Sequence, residues 1–132
     1  MKGDVKMKYD EFIKHVQSLG LLNSREEAER ATRATLETIK ERIVGDEAKD
    51  LAAQLPKELG ECLLGREGEN GQHFGLEEFI KRVSEKEGVA PTAAVMHVRS
   101  VFAVLQDAVT PGEFADLQVN LSEDYREMFA VS

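Results

Sequence analysis

The tetrapeptide Glu11-Phe12-Ile13-Lys14 recurs as Glu78-Phe79-Ile80-Lys81, an offset of 67 residues, and Val16 recurs as Val83 at the same offset. Further on the offset becomes 66. Leu36, Ile39 and Ile43 then match Phe102, Leu105 and Val109, and Ala48, Asp50, Leu51, Leu55 and Leu63 match Phe114, Asp116, Leu117, Leu121 and Phe129. One single-residue deletion, near residues 20–24 or 87–90, reconciles the two offsets. A repeat that keeps its apolar register over most of each copy commits the chain to two versions of one structural unit.

The unit reads as four helices. Tyr9, Phe12, Ile13 and Val16, and in the copy Leu76, Phe79, Ile80 and Val83, are spaced to share one helical face. Gly20 and Gly88 are placed to end these helices. The second helix opens at Ser24-Arg25-Glu26-Glu27, a capping box in which Ser24 takes the Glu27 amide and Glu27 reaches back. Its copy opens with Pro91 at the first helical position, and its apolar residues run nearly all round, so the helix over residues 92–109 is expected at the centre. The third helix starts near Asp46. Its copy starts at Thr110-Pro111-Gly112-Glu113, a second capping box. The fourth helices carry Leu59, Cys62 and Leu63, or Tyr125, Met128 and Phe129. Between the units, residues 65–75 hold four glycines, which predicts a flexible connector or surface loop.

The expected fold is therefore all-α: a compact bundle of about eight helices, formed by two tandem four-helix repeats with pseudo-two-fold symmetry. The whole chain, 1–132, reads as a single domain, with a first repeat over 9–64, a glycine-rich linker over 65–74 and a second repeat over 75–132.

The two EFIK-like starts resemble, together with Asp50, Leu51, Leu55 and Pro56 and their counterparts Asp116, Leu117 and Leu121, the bacterial and archaeal family known as domain of unknown function 2267. The resemblance covers nearly the whole chain. It implies a duplicated all-α fold and carries no established activity, so it transfers no site residue. Many members have an aromatic-rich stretch after the first unit's last helix, where this sequence has its glycine-rich loop.

Charge narrows the partners. The formal net charge is −8 and both units are acidic, which sets the chain against phosphate backbones and anionic membranes. Neither nucleic acid nor a membrane is expected as a partner; a protein partner or self-association is. The acidic first turns at Asp46 and Glu113 also speak against a DNA-reading helix pair. A lone cysteine, Cys62, excludes an internal disulfide, and the N-terminal Met1-Lys2-Gly3-Asp4-Val5-Lys6 has no signal-peptide core. A cytoplasmic location is the expectation.

No catalytic, cofactor or metal set emerges. His15, His73, His97 and Cys62 have no ligand spacing. The stretch Glu67 to Glu78 has the length of a calcium loop but fails as one, because Arg66 would stand first when Gly71 stands sixth. The glycines at 65, 68, 71 and 75 precede no phosphate-binding lysine. Cys62 reads as a small core hydrophobe and the serines as caps or surface. Paired carboxylates such as Glu26-Glu27 sit at helix starts, where the dipole favours them. Asp50 and Asp116, kept in both units, are the polar candidates between the repeats. They are read either as a pseudo-symmetric site or, by default, as helix-surface residues, or as residues that hydrogen-bond a neighbouring helix start. The function expected is a non-enzymatic protein-interaction or homo-oligomeric module. The alternative is a small-molecule or lipid binder with a cavity between the repeats, lined by Phe74, Phe79, Phe102, Phe114 and Phe129.

Overall fold

The computed structural model describes residues 6–129 and is helical throughout, with no strand among the described residues. Residues 1–5 of the N-terminal segment and 130–132 of the second unit lie outside them. The helices are α1 (Tyr9–Leu19), α2 (Arg25–Arg42), α3 (Gly45–Ala52), α4 (Lys57–Gly60), α5 (Leu76–Glu87), α6 (Pro91–Ala108) and α7 (Pro111–Asn120). A closing 3₁₀ helix (Glu123–Met128) follows. The last segment was expected as α-helix. With Ser122 bonding Asp124 and Tyr125 anchored elsewhere, the chain makes only the tighter turns of a 3₁₀ helix.

The predicted faces are the buried ones. Phe12, Ile13 and Val16 of α1, and Phe79, Ile80 and Val83 of α5, all point inward. Gly20 and Gly88 cap these helices. The change of offset falls in the turns that follow, five residues from α1 to α2 and three from α5 to α6, with α5 one residue longer. The Ser24 hydroxyl accepts the Glu27 N–H at 3.2 Å, but Glu27 reaches back to the Asn23 N–H, 2.9 Å away, one residue earlier than a capping box requires.

Both 18-residue helices are central. The apolar α6 packs against α1, α2, α5, α7 and the 3₁₀ helix; α2 packs against α1, α3, α5 and α6. On α2 the small residues Ala28, Ala31, Thr32, Thr35 and Thr38 are buried beside the larger Leu36 and Ile39. Around them the aromatic side chains fill the core. Phe102 stacks on Phe129 (5.0 Å between centroids), Phe114 meets Phe129 edge-on, and Phe79 meets Phe102 and, edge-on, Tyr125. Of the five phenylalanines expected to line a cavity, all touch another ring, which is the packing of a core.

Arg42, at the end of α2, is only 4% exposed and makes no ion pair with a carboxylate among the described residues. Its guanidinium donates to the Phe74 carbonyl (2.8 Å), the Asn120 carbonyl (3.2 Å) and the Ser122 hydroxyl (3.3 Å). The rings of Phe74 and Tyr125 flank it at 6.0 and 5.5 Å. The Tyr125 hydroxyl in turn donates to the Phe74 carbonyl at 2.8 Å, and the Asp124 carboxylate accepts the Leu76 N–H at 2.7 Å, fastening the 3₁₀ helix to the start of α5.

The glycine-rich segment is a surface loop, and it is tied down. The Gly45 N–H donates to the Glu69 carbonyl, the Gln72 N–H to the Glu41 carbonyl and the Gly68 N–H to Asp46, each at 2.9 Å. Two glycines permit this closeness. A Cβ on Gly45 would overlap the Arg66 carbonyl, and one on Gly71 would overlap the Arg42 carbonyl oxygen. Neither obstacle is a flexible side chain, so the backbone itself would have to move. Gly45→Ala is expected to cost about 2 kcal/mol or more in urea unfolding, as overpacking does. Gly112→Ala, with open space around it in the first turn of α7, should be neutral or stabilise by up to about 1 kcal/mol.

Candidate functional site

Asp50 on α3 and Asp116 on α7 are both exposed, and their two helices pack on each other. The helix starts are bonded by the residues four positions further on. The Gln54 side chain accepts the Thr110 N–H at 2.8 Å, and the Asn120 side chain accepts the Val44 N–H at a long 3.5 Å. Thr110 and Val44 are the N-cap residues of α7 and α3. The offset of 66 relates Val44 to Thr110 and Gln54 to Asn120, and it equally relates Glu47 to Glu113 and Asp50 to Asp116.

Gln54 alters what Glu113 does. The Thr110 hydroxyl accepts the Glu113 N–H at 3.2 Å, as a capping box predicts. The reciprocal bond does not form, because Gln54 already holds the Thr110 N–H. The Glu113 carboxyl is left to turn toward α3, where the residue is 8% exposed. There one oxygen each from Glu47, Glu113 and Asp116 lies within 4.8 Å of the others. Each of Glu47 and Glu113 also has a buried Oε2 with no hydrogen-bond partner. The structure thus joins Asp116 to two glutamates the sequence reading had not selected. Asp50 stands outside this triplet but close enough to act on it by charge.

The electrostatics follow from the crowding. The Glu47 carboxyl is pushed up to about 8, first by burial, then by its hydrogen bond to Glu113, and then by the charges of Glu113, Asp116 and Asp50. With Glu113 and Asp116 this close, burial and their charge favour the neutral form of the Glu47 carboxyl at neutral pH. Such a group can share a proton or hold a hard cation. Among the described residues, His15 and His73 are exposed, and His97 is buried on α6 with its Nδ1 2.7 Å from Glu87. Cys62 is half-buried after α4, and burial, followed by the Glu37 charge, pushes its thiol up, away from the reactive thiolate. The histidines and the cysteine are not gathered into one place.

A second feature is apolar. Leu76 and Ile80 of α5, Pro91 and Val95 of α6 and Met128 of the 3₁₀ helix line an open groove of about 540 Å³. Glu77, Lys81, Asp124 and Glu127 form its rim, three acids to one base. The Asp124 carboxyl is held below its ordinary value, first by the Ser122 hydroxyl and then by the Leu76 N–H, so it stays charged there.

The raised Glu47 carboxyl fixes a sign for stability. The folded chain keeps this proton up to about pH 8, whereas an unfolded carboxyl releases it near 4.5. Between those values the folded state binds more protons, so the contribution is complete below about 4.5 and is lost as pH rises through 8. The melting temperature should fall across that window. Glu47→Gln, which removes the titrating group, should flatten the fall. An unchanged slope in the variant would assign the loss elsewhere.

No helix among the described residues is long and apolar enough to cross a membrane. No curated protein matches this sequence. The family described as "Uncharacterized conserved protein (DUF2267)" matches residues 9–128, nearly the full length. On that match, with the helical order described above, the chain belongs to the DUF2267 family.

Proposed function

We propose that this chain is a non-enzymatic interaction module of the cytoplasm, which receives an amphipathic segment of a partner protein in the groove between α5, α6 and the 3₁₀ helix. The observation that carries this reading is the groove itself: an apolar floor bounded by three acids and one base, on a chain of net charge −8. Apolar lining supplies the affinity, and the rim selects a segment flanked by basic residues. The same charge sets copies of this chain against pairing through their grooves, which favours a foreign partner over self-association.

The two units are inferred to be related by a pseudo-two-fold axis passing between α3 and α7. The reciprocal side-chain caps from Gln54 and Asn120 support it, as does the pairing of Glu47 with Glu113 at the repeat offset. One side of the pair has kept a different role: the groove is built by second-unit residues alone, between 76 and 128.

The test uses two synthetic amphipathic helices with the same leucine face, one flanked by lysine and one by glutamate. In fluorescence anisotropy the lysine-flanked peptide is expected to bind saturably and to weaken with added salt. Val95→Lys, at a half-buried groove position, should reduce that binding about tenfold or more without changing the fold seen by circular dichroism. Equal binding of both peptides, or full binding to the Val95 variant, would overturn the reading. Self-association abolished by the same substitution would assign the groove to a second copy instead.

A further inference from the structure

We propose that the seam between α3 and α7 is a binding site for a hard divalent cation of the calcium class, with Glu47, Glu113 and Asp116 as its protein ligands. Three carboxylate oxygens from two facing helices lie within 4.8 Å of one another. Proximity of acids is common on protein surfaces and does not by itself require an ion. The observation that does is Glu113, 8% exposed, with its Oε2 shielded from solvent and unbonded. Glu47 repeats it with an Oε2 in the same condition.

Neither of these Oε2 atoms accepts a hydrogen bond from a donor. A dehydrated carboxylate oxygen with nothing to accept from costs about 1–3 kcal/mol or more. A cation seated between the helices would pair with those oxygens and cancel the repulsion in the same event. Asp116, which is exposed, gives the ion an outer ligand and a way in from solvent. Asp50, also exposed and one turn from Glu47, adds negative charge close by.

The donor set selects the class of ion. All donors are oxygen, with no imidazole or thiolate among them, which disfavours zinc and copper. Carboxylates reaching from two separate helices make an irregular shell. Calcium accepts such shells with six to eight oxygens, whereas magnesium demands a near-ideal octahedron and gives up its waters reluctantly. Ligands drawn from α3 and α7 together make ion binding a link between the two halves of the chain.

Isothermal titration calorimetry with calcium chloride on the full chain, at physiological salt, is expected to show one saturable site tighter than about 1 mM. Calcium should also raise the melting temperature, by an amount that grows with the logarithm of its concentration once Kd is exceeded, and magnesium should do so less. Glu113→Gln, nearly isosteric, should weaken the site about tenfold or more. Asp107→Asn, which removes an exposed acid elsewhere on α6, should leave it intact. Should Glu113→Gln fail to fold, Asp116→Asn decides the matter, since that residue is exposed and its loss should weaken binding similarly. Absence of saturable binding, or binding unchanged in every folded ligand variant, would overturn the proposal.

Discussion

A single buried guanidinium sets how the pieces of this bundle meet. Arg42 closes α2, and its donors reach the connecting loop at Phe74, the end of α7 at Asn120 and the start of the 3₁₀ helix at Ser122. It does so with neutral acceptors, which satisfy the donors without asking a second charge to leave water. The geometry of the guanidinium matters here, since a lysine in its place could not address three acceptors in three directions. Residues far apart in sequence are brought to one point, and the ring of Tyr125 and that of Phe74 shield it from solvent. Most acidic side chains lie at the surface or in the α3–α7 seam, and Arg42 is the buried cation of its end of the bundle.

The seam shows how local helix chemistry can be redirected by tertiary contact. Thr110-Pro111-Gly112-Glu113 is written as a self-sufficient helix start. Gln54 from the other unit occupies the donor that Glu113 would have taken. The displaced carboxyl then turns toward Glu47, its counterpart at the repeat offset. The local rule gives way here to a contact between the start of α7 and the residue just past α3. The buried Glu87–His97 pair between α5 and α6 is a polar contact of a different kind: Oε1 meets the His97 Nδ1 at 2.7 Å, while Oε2 has no hydrogen-bond partner.

Much of this architecture could be read from residue order. The heptad-like faces of α1 and α5 were visible because burial selects large apolar side chains at helical spacing, and Phe12, Ile13, Phe79 and Ile80 leave no other reading. The central position of α6 was legible from its lack of polar positions. Arg42 was not, because an arginine in the last turn of a charged helix is indistinguishable from a surface residue until its acceptors arrive from elsewhere. For the site, the repeat offset pointed to Asp50 and Asp116. Applying the same offset three residues earlier would have paired Glu47 with Glu113. The capping explanation concealed that, since it accounts for a glutamate at that position completely. The 3₁₀ form of the last segment also escaped notice, being set by Asp124 and Tyr125 reaching back to residues 74–76.

The fastened loop bears on how two copies of this chain can interact. Chains whose two halves pack on one another can exchange them between molecules, because each half presents the surface that the other molecule's half expects. Such exchange begins with the connector straightening. Here it would first have to peel away from Glu41, Gly45 and Asp46 at one end and release Phe74 from Arg42 and Tyr125 at the other. The tip, around Gly65 and Gly68, is exposed, so a protease could sever it and still leave both fragments gripping each other. The connector thus behaves less as a tether than as a barrier to domain swapping, holding each molecule to its own pair of halves.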